Sequence, residues 1–182
     1  MQGRKAGCVP RRFGGLTIIQ TMAIVAILGI ALFFGLSLLK KEAAPAVTFK
    51  TLNGEQITTD SLRGKVVLVN FWATTCPGCV AEMPKLVETW QQYHQQGFEV
   101  IAIAMQYDDL KQIQNFVQQK QLPFIVTHDA DGSLSQAFGN ITVTPTAFVL
   151  DAQGHIINKT IGDFNFAKLH ESLKQQLKSA TL

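Results

Sequence analysis

Between Phe13 and Leu39 no Asp, Glu, Lys or Arg interrupts the chain, whereas from Val47 onward short apolar runs alternate with helical patterns. A buried core helix is usually shorter than such a run and shows a polar face. Taken as helix, Leu16 to Leu39 spans roughly 36 Å at about 1.5 Å per residue, enough to cross a hydrocarbon core of about 30 Å with some tilt. The pattern therefore predicts a cytoplasmic segment over residues 1–15, a transmembrane anchor over 16–39, a linker over 40–46 and a folded domain over 47–182.

Within that domain, Val47 to Leu52 and Gln56 to Thr58, joined through Asn53-Gly54, read as a hairpin. Val66 to Trp72 (VVLVNFW) and Phe98 to Met105 are continuous β-branched and aromatic runs, the mark of buried strands. Glu82 to Gln95 reads as helix. Asp108 to Gln119 reads as an amphipathic helix with paired aspartates at its positive end. Phe124 to Thr127 is a short strand, and Ser133 to Phe138 a short helix stopped by Gly139. Thr146 to Leu150 and His155 to Ile161 form a second hairpin around Asp151-Ala-Gln-Gly154, and Phe166 to Lys178 is a terminal helix. Strands alternating with helices predict an α/β fold with a central sheet.

Charge changes the picture once it is placed. The 182 residues carry a net +3, yet Arg4, Lys5, Arg11, Arg12, Lys40 and Lys41 all lie before Glu42. From Ala43 onward 10 basic residues face 12 acidic ones, so the domain is mildly acidic and shows no footprint for nucleic acid. Four basic residues precede the apolar run and two follow it. That asymmetry puts the N-terminus in the cytoplasm and the domain on the periplasmic side of the inner membrane. A cleaved secretory signal competes, since Ala44-Pro-Ala46 has the small-x-small form of a cleavage site. The length of the run and the interposed Lys40-Lys41-Glu42 favour a retained anchor. Gly14 to Ile30 also resembles the start of type IV prepilins, with Gln20 where that family carries glutamate, and Arg11-Arg12 resembles a twin-arginine signal in poorly fitting surroundings.

The chemistry concentrates at Cys76-Pro77-Gly78-Cys79, between the strand ending at Trp72 and the next helix. Two intervening residues let the sulfurs meet across one helical turn, so a disulfide closes and opens with little backbone movement. A helix N-terminus favours a thiolate on the first cysteine, which makes Cys76 the attacking sulfur and Cys79 the resolving one. A structural zinc site lacks ligands: Cys8 falls across the membrane, and the histidines at 94, 128, 155 and 170 show no paired spacing. Haem attachment needs a histidine where Val80 stands. A permanent structural disulfide remains the plain alternative, although so short a loop offers little chain-entropy stabilisation. No nucleotide or flavin motif is present, so no metal or cofactor is expected beyond the cysteine pair.

Phe71 to Pro84, FWATTCPGCVAEMP, resembles the active-site region of membrane-anchored bacterial thioredoxin-like disulfide oxidoreductases of the TlpA and ResA type. The likeness runs from about Val47 to the C-terminus. It takes in Gly54, Leu62-Arg-Gly-Lys65, Glu82, Pro84, Gly139 to Thr146 and Phe148-Val-Leu-Asp151. It implies a thioredoxin fold, a central mixed sheet flanked by helices, with an added N-terminal β-hairpin. It also implies Cys76 as nucleophile, Cys79 as resolving thiol, Pro145 as a cis-proline opposite the disulfide, Pro84 as a helix-kinking proline and Glu82 as a proton acceptor near the thiols. Trp72, Pro77, Thr144 and Pro145 are the candidate substrate-docking residues. Asn70 stands where cytoplasmic thioredoxins carry a buried aspartate. Thr75 replaces the tryptophan usual before the first cysteine, and Thr144 and Thr146 flank Pro145 where cytochrome c maturation reductases often have glutamate.

The function expected is protein disulfide reduction outside the cytoplasm by dithiol–disulfide exchange, on a thiol or disulfide protein substrate, with a membrane partner supplying electrons. A disulfide-donating oxidase is the nearest alternative. A thiol peroxidase would need a Pro-x3-Thr-x2-Cys arrangement, and Val69 stands seven residues before Cys76. A non-catalytic metallochaperone or assembly module on the same scaffold completes the alternatives.

Overall fold

The computed structural model describes residues 18–38 and 41–180. The N-terminal segment expected in the cytoplasm, with Cys8, and Lys40 of the linker fall outside them. The chain divides into two units, one ending at Lys40 and one beginning at Lys41. In the first, helix α1 covers Ile18–Leu38, 21 residues without an acidic or basic side chain. Its side chains are described over residues 20–31. Among the described residues no helix is long and apolar enough to cross a membrane.

The second unit is an α/β domain. A hairpin, β1 (Thr48–Lys50) and β2 (Gln56–Thr58), pairs antiparallel in a small sheet of its own. The main sheet contains β3 (Val66–Trp72), β4 (Phe98–Ala104), β5 (Ile125–His128), β6 (Thr146–Leu150) and β7 (Ile156–Ile161) in the order β5-β4-β3-β6-β7. β3, β4 and β5 are parallel neighbours, and β6 and β7 run antiparallel. β3 and β4 are buried along their whole length because both faces of the sheet are covered, which is why their sequences are continuously apolar.

Strand pleating sends alternate residues of β3 to opposite faces. Val66, Leu68 and Trp72 join Met83 and Leu86 of α2 (Pro77–Tyr93), Ile113 of α3 (Leu110–Lys120), and Leu169, Leu173 and Leu177 of α5 (Phe166–Ala180). Val67, Val69 and Phe71 meet Phe49 of the hairpin, with Leu134 and Phe138 in and just after α4 (Ser133–Ala137). The hairpin thus closes one face of the sheet and the three longer helices the other.

Helix α2 begins five residues before the helical pattern at Glu82 does. Cys76 caps it and Pro77 occupies its first turn, where a missing N–H costs nothing. Pro84 lies inside the helix, where it cannot donate to the carbonyl of Val80. Helix α3 starts at Leu110 with only Asp109 as its cap, accepting from Gln112 N. Asp108, expected beside it as a helix-end charge, is buried and turned elsewhere. The short α4 is held by Asp129, whose carboxylate accepts from the backbone N–H groups of Leu134 and Ser135 and from the Ser135 hydroxyl.

Candidate active site

The C-terminal end of β3 delivers Ala73, Thr74 and Thr75 to the start of α2. Both oxygens of the buried Asp108 carboxylate hold this loop, accepting from the Thr74 amide and the Thr74 hydroxyl at 2.5 Å each. The Cys76 amide closes the turn by donating to Ala73 O at 3.2 Å. Cys76 and Cys79 are joined in a disulfide with their Cα atoms 5.3 Å apart. Cys76 Sγ accepts from the Cys79 amide at 3.3 Å. A sulfur in that place receives the free N–H groups of the helix start, which favour negative charge on it. Cys76 is partly exposed while Cys79 is 1% exposed. An incoming disulfide therefore meets Cys76, and Cys79 is shielded until a bond to its neighbour has formed.

Pro145 follows a cis peptide bond from Thr144. A Cβ placed on Gly78 would lie 3.9 Å from Pro145 Cδ and 3.1 Å from Asp163 Oδ1. Two segments thus close on the Cys-Pro-Gly-Cys turn, the proline turn before β6 and the stretch after β7. They are tied to one another by the Gly162 amide donating to Pro145 O at 2.8 Å. The exposed Tyr107 brings its hydroxyl to 3.4 Å from Thr144 Oγ1. Pro77 is exposed and Thr144 partly so, which places them on the rim, while Pro145, expected beside them as a docking residue, is buried beneath it.

Trp72 departs from its expected place on that rim. It is 0% exposed, its ring centre 5.2 Å from that of Phe116, and it packs beneath the site as part of the core. The cause is register: Trp72 points to the same side of β3 as Val66 and Leu68, the face covered by the longer helices.

Glu82 lies one turn beyond Cys79 and is half-buried. Its Oε1 accepts from the Phe164 amide at 2.5 Å, and its Oε2 is buried without a hydrogen-bond partner among the described residues. Burial pushes the Glu82 carboxyl up from the usual glutamate range; the Phe164 amide opposes this, and the Asp163 charge adds to it. A raised carboxyl favours the folded state while it is protonated and loses that contribution as pH climbs through its folded value. Glu82→Gln, which keeps an oxygen for Phe164, is therefore expected to raise the melting temperature at pH 7, on the order of 1–2 °C after solvent screening. The gain should vanish below the ordinary glutamate value of 4.5. Thermal melts from pH 4 to 8 check this, and an equal difference at every pH would refute it.

Asp108 and Asp163 are the site residues that sequence reasoning missed. The Asp108-Asp109 pair reads locally as a helix start, and nothing local to Asp163 announces that its segment returns to Gly78. A buried Asn70, with an unpartnered Oδ1 among the described residues, occupies the strand position where an acid would otherwise sit.

A redox-active cysteine pair at the start of the helix that follows the first strand of a mixed sheet, opposed by a cis-proline, defines a thioredoxin-fold thiol–disulfide oxidoreductase. The electrons are carried by the cysteines themselves. The chain belongs to the Redoxin family, whose profile matches residues 39–176. It is 35% identical over 132 residues to the thiol-disulfide oxidoreductase ResA of Bacillus thuringiensis subsp. konkukian, covering 72% of this chain and 75% of the relative. The ResA of Halalkalibacterium halodurans is 31% identical over 162 residues, covering 84% of this chain and 91% of that one. Among solved structures, a thiol:disulfide interchange protein of the thioredoxin family from Chlorobium tepidum superposes with a TM-score of 0.69 at 31% identity, over 76% of this chain and 97% of that one. These relatives place the chain among redoxins of the TlpA and ResA type.

Proposed function

We propose that the protein reduces disulfides outside the cytoplasm while tethered to the inner membrane by the apolar run Leu16 to Leu39, with its electrons resupplied by a membrane partner. The observation that carries the exchange mechanism is the asymmetry of the two sulfurs, one partly exposed at a helix N-terminus and one buried behind it. The Cys76 thiolate attacks one sulfur of a substrate disulfide; that S–S bond breaks, and the departing substrate thiolate takes a proton from water. Glu82 accepts the proton of the Cys79 thiol, and the resulting thiolate attacks Cys76 Sγ. The mixed disulfide breaks, the second substrate thiolate leaves, and two electrons have passed from the cysteine pair to the substrate.

The direction follows from charge. A strong oxidant of this kind has a stabilised reduced form. Here Asp163 lies against the Cys-Pro-Gly-Cys turn and Glu82 stands one turn further on, so negative charge opposes a thiolate and favours the closed disulfide. Equilibration against glutathione or thioredoxin couples is expected to give a potential below about −180 mV, and a value nearer −120 mV would make the protein an oxidase.

The tether is supported by the uncharged run from Phe13 to Leu39 and by the basic residues before it. In spheroplasts treated with a reductant, a membrane-impermeant maleimide should label Cys76 and leave Cys8 unlabelled until the membrane is opened. Labelling of Cys8 in sealed spheroplasts would reverse the topology, and release of the domain into the wash would indicate a cleaved signal. Normal re-reduction in membranes stripped of other proteins would remove the electron-donating partner.

A further inference from the structure

In the exchange above Asp163 enters only as a negative charge beside the redox turn, and it moves no proton there. Its Oδ1 lies 3.1 Å from where a Cβ on Gly78 would sit. Gly162 fixes the segment from one side by donating to Pro145 O at 2.8 Å, and Phe164 fixes it from the other by donating to Glu82 at 2.5 Å. The carboxylate is held at both neighbours while its own side chain is exposed. No ion pair or side-chain hydrogen bond engages it among the described residues.

Among the described residues no cation forms an ion pair with Asp163. Lys85 Nζ lies over the Phe166 ring, 5.8 Å from its centre, and Lys159 Nζ over the Phe148 ring at 5.1 Å. Lys168 lines the same depression as Asp163, with Asn158, Thr160 and Phe164 between them, and among the described residues no ion pair joins the two. The other carboxylates around the turn are engaged: Glu82 by Phe164, Asp108 by Thr74, and Asp109 by the start of α3. Asp163 is thus an exposed negative charge without an ion-pair partner among the described residues, on the surface that an incoming disulfide must cross to reach Cys76.

We propose that Asp163 is a specificity-determining residue, which selects protein disulfides carrying a lysine or arginine beside the attacked cysteine and disfavours those carrying an acid there. The proposal rests on the exchange reading above and names the substrate class for that site. A cation brought against Asp163 in the mixed disulfide gains a Coulomb interaction, and an anion there is repelled; at a wet rim the effect is a few-fold rather than many orders.

The test uses the full-length protein in detergent and three synthetic peptides with one internal disulfide, identical except for Lys, Gln or Glu on either side of the cysteines. Exchange is followed in both directions, reduced protein with disulfide peptide and oxidised protein with dithiol peptide. A wrong assignment of reductase direction changes which reaction runs but leaves the charge ranking readable. The expected second-order rates rank Lys over Gln over Glu, with about a fivefold step between neighbours at low salt, shrinking towards equality at high salt. Asp163→Asn should collapse the ranking and Asp163→Glu should restore part of it. Any change Asp163→Asn makes to Glu82 acts on all three peptides alike and cancels in the ratios. A ranking that survives Asp163→Asn, equal rates in the unmodified protein, or a ranking insensitive to salt would each overturn the proposal.

Discussion

Cys76→Ser is expected to lower the rate of disulfide reduction by roughly a thousandfold or more, while Cys79→Ser stops turnover but leaves the first attack intact. The two losses differ in kind. Serine at position 76 removes the one sulfur of the pair that a substrate can reach, since Cys79 is buried behind it. Serine at position 79 leaves the thiolate at the helix start, so the mixed disulfide forms and has nothing within the protein to resolve it. The Cys79→Ser protein should therefore accumulate a covalent adduct visible as a shifted band on a non-reducing gel and lost on adding dithiothreitol. The Cys76→Ser protein should show none above background. Equal trapping by both variants would mean that either sulfur can be attacked, and the assignment of roles from burial would fail. Undiminished reduction by Cys76→Ser would remove the exchange mechanism altogether.

The pairing of the two cysteines was legible in the sequence, because it depends on their spacing at a helix start, and spacing is what a sequence records. The same holds for β3, whose bounds Val66–Trp72 are those read from its run of β-branched and aromatic residues. It holds for β6 at Thr146–Leu150 and for the β1–β2 hairpin turning at Asn53-Gly54. Each of these is decided by the local period of side chains or by turn chemistry. Asp108 and Asp163 were not legible, and for one reason. Asp108 reaches back 34 positions to Thr74, and the segment carrying Asp163 reaches 82 positions to Glu82 through Phe164. Which distant segments the sheet order brings together cannot be deduced from the period of either. The aspartate pair was a fair helix-start signal, and tertiary contact recruited one member for the active-site loop while the other kept the cap.

Trp72 makes the strongest case for separating packing from docking, because the family likeness suggested the rim and the structure shows the core. Trp72→Ala is expected to cost about 3–5 kcal/mol, since a wholly buried indole leaves a cavity between β3 and α3 that its neighbours fill only in part. For a domain of this size that is a fall in melting temperature of about 10 °C or more. Trp72→Phe should cost less than its lost area suggests. The indole Nε1 is buried without an acceptor among the described residues, so phenylalanine removes a desolvated donor along with the ring volume. The informative measurement pairs melting temperature with the KM for a disulfide peptide, at a temperature where Trp72→Phe remains folded. A packing role lowers the melting temperature and leaves KM within about twofold. If stability held and KM rose several-fold, the tryptophan would have to swing out to meet substrate, and the closed arrangement described here would not be the one that binds.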